Sequence, residues 1–163
     1  MEHEDSALRA RKLFAFQRVV VASPAYLACH GVPRVPADLR RHNCLGFNLK
    51  PSLNEWPFAG CEDRSIPTSG NIRADNGETL RQLALSGVGI ARLATFMVAE
   101  DIAAGRLLAL LEAFHPGDTL AAFAVFHDRK HMAARIRCFI DFLVERLGSS
   151  TEAARPQRSP ALA

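Results

Sequence analysis

The sequence predicts an α/β fold, in which helices pack on a central sheet. Three observations lead there. The stretch from Ser69 to Leu93 reads as strand, capped helix, tight turn, strand. Short apolar runs alternate with segments of helical periodicity along most of the chain. Hydrophobic residues make up 48% of the 163 positions, enough to build a core in one domain or two small lobes. The alternation implies right-handed crossovers and a mostly parallel sheet.

The central unit carries the clearest local signals. Asp75 or Asn76 is placed to cap the helix, because its side-chain oxygen can accept from a free first-turn N–H. Glu78, three residues after Asp75, makes a loose capping box. Leu80, Leu83 and Ala84 fall on one helical face. Gly87 suits a left-handed stop. Val88-Gly89-Ile90-Ala91 is then a short buried strand. Such a unit sets a helix N-terminus at the carboxyl end of a strand, where open α/β sheets bind ligands.

The remaining elements follow in order. Val19 to Ala22 is a β-branched run that predicts a buried strand. Ser23-Pro24 reads as an N-cap followed by proline at the first helical position, and the short helix through Tyr26 and Leu27 stops near Gly31. Ala37 to Arg41 makes one helical turn, and Cys44 to Phe47 a strand. Trp56-Pro57-Phe58 reads as a short edge strand, where proline is tolerated. Ile66 to Ala74 is expected as one more polar strand. Thr95 is placed to cap a helix reaching about Ala104, with Phe96, Ala99, Ile102 and Ala103 on its inner face and Gly105 at its end. Leu107 to Leu111 and Leu120 to Phe126 are apolar strands, separated by the turn chemistry of His115-Pro116-Gly117-Asp118. A long amphipathic helix follows, and residues 148–163 are expected as a disordered tail.

Composition excludes several function classes. Twenty basic against seventeen acidic residues give +3, too little and too scattered for a nucleic-acid surface. Cys29, Cys44, Cys61 and Cys138 lack paired spacing and read as free thiols in a reducing compartment. The acidic start, Met1 to Asp5, is unlike a secretory signal, and no apolar run approaches the about 20 residues of a membrane span. The expected location is the cytoplasm. His127 and His131 lie four apart but have no third ligand nearby, so no metal or other cofactor is expected. Ser23, Ser69 and Ser86 lack the G-x-S-x-G elbow and no carboxylate pair stands out, so no catalysis is expected.

An ordered set of motifs resembles the effector-binding module of LysR-type transcriptional regulators. It comprises Ala22-Ser23-Pro24-Ala25-Tyr26-Leu27 with His30-Gly31 and Pro33, then Pro36 to Leu39, His42 to Leu45, and Trp56 with Phe58. Ser69-Gly70, Asp75 to Gly77, Gly87 to Ala91, Gly105 to Leu107 and Phe139 to Leu143 continue it. The resemblance covers roughly residues 5–147. It implies a type 2 periplasmic-binding-protein-like fold: two α/β lobes joined by crossing strands, with the ligand in the cleft. On that pattern residues 1–22 are a remnant of lobe one and the first hinge strand, 18–22 being the strand. Residues 23–119 are the complete second lobe. Residues 120–147 are the second hinge strand and the C-terminal helix of an incomplete first lobe. The winged helix-turn-helix of the family is absent, so the resemblance implies a truncated regulator that makes no DNA contact itself. A solute-binding protein of the same fold, or an interaction-only fragment that pairs with intact regulators, is the alternative.

The candidate ligand residues are Ser23, Asp75, Asn76, Gly77, Glu78 and Thr95. The helix N-terminus at Asp75 to Glu78 favours a carboxylate or other anion. Thr95 follows the carboxyl end of a strand, and Ser23 faces the same cleft in the family layout. Asp75 and Asn76 cap the helix in either case, Ser23 is read more readily as a cap than as a ligand, and a capping hydroxyl explains Thr95 equally well. Arg92 stands where the family commonly has an apolar residue. It either points a cation at the cleft or, partly exposed, pairs with an acid. The expected partners are a small anionic effector and a second copy or an intact regulator. Ile136, Phe139, Ile140, Leu143 and Leu147 line one face of the last helix, and burying them is worth roughly 7–15 kcal/mol. A whole domain is stable by about 5–15 kcal/mol, so an open face of this size predicts self-association.

Overall fold

The computed structural model describes residues 8–60, 62, 65–127 and 134–148. They fall into two compact units. One is Gln17–Asp118; the other combines the segments Met1–Phe16 and Thr119–Ala163. Residues 128–133, which include the expected turn and His131, and the expected tail from 149 onward lie outside the described residues, as do Cys61 and the side chain of His127.

The larger unit is built on a five-stranded sheet. Its strands are β2 (Arg18–Ala22), β3 (Cys44–Phe47), β6 (Arg73–Ala74), β7 (Ile90–Ala94) and β8 (Leu108–Leu110), in the order β6-β3-β7-β2-β8. A separate antiparallel pair, β4 (Glu55–Pro57) and β5 (Ser65–Pro67), brings Trp56 opposite Ile66. Among the described residues three α-helices complete the unit, α1 (Pro24–His30), α2 (Gly77–Leu85) and α3 (Thr95–Ala103), with short 3-10 turns at Pro36–Arg41, Pro51–Asn54 and Glu112–Phe114. Successive side chains of a strand point to opposite faces. Val20, Ala22 and Ile90 therefore pack on one face with Tyr26, Leu27, Trp56 and Ile66. Val19, Val21, Ala91 and Leu93 pack on the other with Leu80, Ala84 and Val98.

The local signals in the sequence form as expected at α1 and α2. Ser23 caps α1 through Tyr26 N, and Pro24 is its first residue. Gly31 and Gly87 take positive φ, of 82° and 78°. Close backbone approach explains two other glycines. A Cβ on Gly70 would lie 2.1 Å from Cys44 O, and one on Gly89 2.4 Å from Asn43 O.

Several expectations are corrected. The sheet is mixed: β3 runs parallel to β6 and β7, but β2 is antiparallel to both β7 and β8. Apolar runs record burial and carry no information on strand direction. The expected strand from Ile66 to Ala74 is broken into β5 and β6, because Gly70 must pass close to the Cys44 carbonyl. On α3 the inner face is Val98 and Asp101, with Met97 and Ile102 partly buried, whereas Phe96, Ala99 and Ala103 are exposed. Thr95 is the first residue of α3 and does not cap it.

The smaller unit holds a strand that the sequence reading missed. β1 (Leu8–Phe16) pairs antiparallel with β9 (Leu120–His127), from Leu8 opposite His127 to Phe16 opposite Leu120. Residues 18–22 lie inside the five-stranded sheet, and the strand that pairs with 120–126 is β1. The terminal helix α4 (Ala134–Gly148) packs on β1, and Arg11 forms an ion pair with Asp141. Ile140 is buried, Leu143, Val144 and Leu147 are partly buried, and Ile136 and Phe139 are exposed.

An ion cluster around one buried carboxylate ties α2, α3 and the approach to β8 together. Asp101 is fully buried; Arg81 Nε donates to it at 2.6 Å and Arg106 Nε at 2.8 Å. Hydrogen bonding from Arg81, and then from Arg106, holds its carboxyl below the ordinary 3.8 in spite of burial. Arg81 and Arg106 keep access to solvent, so removing the acid costs its hydrogen bonds without stranding a buried charge, and Asp101→Ala is expected to lower the unfolding free energy by about 2 kcal/mol, measured in urea. Because the folded pKa is depressed, this contribution is fully present above 3.8 and is lost as pH falls through the lower folded value. The stability gap between wild type and Asp101→Asn should stay constant from about pH 7 to pH 5 and narrow in more acid solution.

Candidate ligand-binding end of the sheet

The parallel strands β3, β6 and β7 all finish at one end of the sheet, at Phe47, Ala74 and Ala94. Two helices begin there. α2 follows β6 after Asp75 and Asn76, and α3 follows β7 directly at Thr95. Asn76, with extended backbone, is the cap: its Oδ1 accepts from Thr79 N at 2.9 Å. Asp75 is exposed and takes no part in the cap. Glu78 does not reach back to it either. Its carboxylate accepts from Gln82 at 2.8 Å and from Arg81 at 2.9 Å, and these bonds hold its pKa below the usual value. The expected capping box is thus replaced by bonds along the helix, since Glu78 sits at the second helical position and not the third.

The first turn of α2 lies against α3. A Cβ on Gly77 would come 2.9 Å from Met97 Cε, the flexible tip of that side chain, so the two helices are in contact here. Asn76, Gly77 and Thr95 therefore gather at one place. Thr95 is partly buried, and its backbone N–H is held by Gln17 O at 2.9 Å. First-turn N–H groups and the positive end of the α2 dipole favour an anion at such a position.

Ser23 does not belong with them. β2 is antiparallel to β7, with Val21 opposite Ala91, so Ser23 lies beyond the first residue of β7 while Thr95 follows its last. About 17 Å of strand separates the two, at about 3.4 Å per residue. Ser23 is 3% exposed, its Oγ accepts from Tyr26 N at 3.3 Å, and it faces Gly87. It is a cap at the opposite end of the sheet.

The structure adds residues at the carboxyl end that local patterns did not reveal. Arg92 and Arg18 share a sheet face, since Val20 pairs with Arg92 and Arg18 with Ala94. Arg92 is buried, and its Nη2 donates to both carboxylate oxygens of Asp118 at 3.3 Å. Of the two readings of Arg92, pairing with an acid is the one observed, with the side chain buried and not partly exposed. His115 Nε2 meets Arg18 O at 2.9 Å, pinning the loop that carries Asp118 across the start of β2. Burial pulls both guanidiniums below their ordinary pKa and Asp118 opposes this; Arg18 depresses Arg92 further. Among the described residues, no group of three or more His, Cys, Asp or Glu side chains is placed to hold a metal ion.

These features belong to a type 2 periplasmic-binding-protein-like α/β fold. A family model described as the LysR substrate binding domain matches residues 1–148, and the chain belongs to that family. It is 44% identical over 149 residues to the HTH-type transcriptional regulator CrgA of Neisseria meningitidis serogroup C (strain 8013), covering 91% of this chain and 50% of the relative. It is 39% identical over 150 residues to the HTH-type transcriptional regulator PtxR of Pseudomonas aeruginosa, covering 88% and 46%. The chain thus spans about half the length of the curated relatives it matches. The solved regulatory domain of CrgA superposes with a TM-score of 0.83 at 44% identity, covering 90% of this chain and 72% of that one. The full-length virulence activator AphB of Vibrio cholerae, at 24% identity and a TM-score of 0.72, shares the fold, with 89% and 50% covered. No described helix is long and apolar enough to cross a membrane.

The cap assignment has a direct test. Asn76→Ala should lower stability by about 1 kcal/mol, while Asp75→Ala changes it by less than about 0.5 kcal/mol, both read by thermal unfolding. Equal losses at the two positions would show a shared cap.

Proposed function

We propose that this chain is the effector-sensing part of a LysR-type transcriptional regulator, working in the cytoplasm and without catalytic activity of its own. It binds a small anionic metabolite at the carboxyl end of β3, β6 and β7. The observation that carries this reading is the convergence of the α2 N-terminus, at Asn76 and Gly77, with the start of α3 at Thr95. The helix end supplies N–H donors and a partial positive charge, and Thr95 adds a hydroxyl that is not used as a cap. Glu78 is turned away toward Arg81 and Gln82, so its charge is directed away from an incoming anion. The solute-binding alternative is less well supported, because the family matched is that of regulators.

The test is thermal unfolding of the chain with a panel of small carboxylates, phosphates and their neutral amide or alcohol counterparts. At least one anion should raise the Tm, and Thr95→Val together with Gly77→Ala should remove the effect. A panel without any stabilising member, or a shift untouched by both substitutions, would contradict the site.

A second observation favours self-association. Phe123, Val125, Ile136, Phe139 and Phe142 are all exposed on β9 and α4. Exposed large apolar side chains on two neighbouring elements support an interaction surface. The partner we propose is a second copy of the chain, and DNA contact is assigned to neither. Sedimentation should show dimers or larger species, and Phe139→Glu with Phe142→Glu should shift the population to monomer.

A further inference from the structure

The Arg18, Arg92 and Asp118 group holds one more positive charge than negative, and its geometry is that of a loosely closed ion pair. Arg92 is 7% exposed, yet its acid sits at 3.3 Å and is engaged through one nitrogen alone. Charge-assisted bonds normally close to about 2.7–2.9 Å, and an arginine fork normally meets a carboxylate with two nitrogens. The same chain shows what a closed pair looks like: Asp101 is held at 2.6 and 2.8 Å by two arginines. Asp118 is itself about one-third exposed, at 36% of its side chain, so its grip on Arg92 is weakened by solvent.

Arg18 has Asp118 as the acid acting on it, and that acid is already engaged by Arg92. The two guanidiniums stand on neighbouring antiparallel strands, on the face opposite the α2 N-terminus and at the same end of the sheet as Thr95. The loop that carries Asp118 is tied to β2 by His115 and contains Gly117, whose φ of 75° sets its turn.

We infer that Arg18 and Arg92 form a carboxylate subsite in which Asp118 is an internal competitor, displaced from Arg92 when a small organic carboxylate binds. The ligand class follows from the group displaced: a planar two-oxygen anion that fits the guanidinium fork better than Asp118 does. Binding would release the Asp118 loop, the last segment of the larger unit before β9. The inference rests on the effector-sensing reading given above and names the chemistry of its ligand.

The experiment compares succinate with the neutral succinamide at constant ionic strength, by thermal unfolding and by calorimetric titration of the 163-residue chain. Succinate should raise the Tm and succinamide should not. Asp118→Asn should lower the Tm of the ligand-free chain, because two guanidiniums lose their counter-charge, and yet bind succinate at least threefold more tightly. Arg18→Gln, on a partly exposed side chain, should weaken binding at least tenfold while the protein stays folded. Arg92→Met combined with Asp118→Asn removes the pair as a unit and should abolish the response. An Asp118→Asn protein that binds succinate no better than wild type overturns the proposal, as does an Arg18→Gln protein that binds it equally well. If another anion stabilises the chain through Gly77 and Thr95 but is indifferent to Arg18 and Asp118, the sensing reading stands and the carboxylate subsite falls.

Discussion

The side chain of Asn43 is the constraint on which the larger unit depends. It sits just before β3 and reaches two segments that are remote in sequence. Its Nδ2 donates to Val88 O at 2.8 Å and its Oδ1 accepts from Asn71 N at 2.9 Å. The backbone completes the junction: Ile90 N donates to Asn43 O at 2.9 Å, and Asn43 N donates to the Tyr26 hydroxyl at 3.0 Å. One residue thereby fixes the entry to β7, the approach to β6 and the position of α1. Each bond is worth about 1 kcal/mol net, and because several meet at one residue the junction is cooperative. Gly70 and Gly89 are its counterparts, since only a residue without Cβ lets those backbones close on Cys44 and Asn43.

This junction lies at the amino ends of the parallel strands, and the candidate site lies at the other. One end of the sheet is locked by hydrogen bonds; at the carboxyl end there is a helix N-terminus, a threonine that does not cap and an imperfect ion pair. The division is physically reasonable. Binding requires groups whose partners can change, and those groups need a scaffold that does not yield. The Asp101 cluster adds to that scaffold on the helical face, where α2 and α3 meet.

Much of the fold was legible because its cues act over a few residues. Ser23-Pro24, Asn76 and the glycines at 31, 87 and 105 each act on their own turn, and all behave as their chemistry requires. The errors share one cause. On α3, helical spacing pointed to the face of Phe96, Ala99, Ile102 and Ala103, but the inward face holds Asp101, a charged residue whose partners are five and twenty positions away. β1 was missed because its alternation includes Arg9, Arg11 and Lys12, which look like a solvated segment until β9 pairs beside it. The capping box at Glu78 failed by one position once Asn76, and not Asp75, took the cap.

The sequence by itself determined the family, the α/β class, most element positions and the capped start of α2. These rest on nearest-neighbour sterics, capping and burial, which a linear pattern records. The tertiary structure decided strand direction, and with it which candidates share a site. Because β2 runs against β7, Ser23 is carried to the far end and Arg18 is brought to the near one. The contacts that define that near end join residues 26 positions apart at Arg92 and Asp118, and 97 apart at Arg18 and His115. No local spacing encodes such pairs; they exist only after the sheet has assembled.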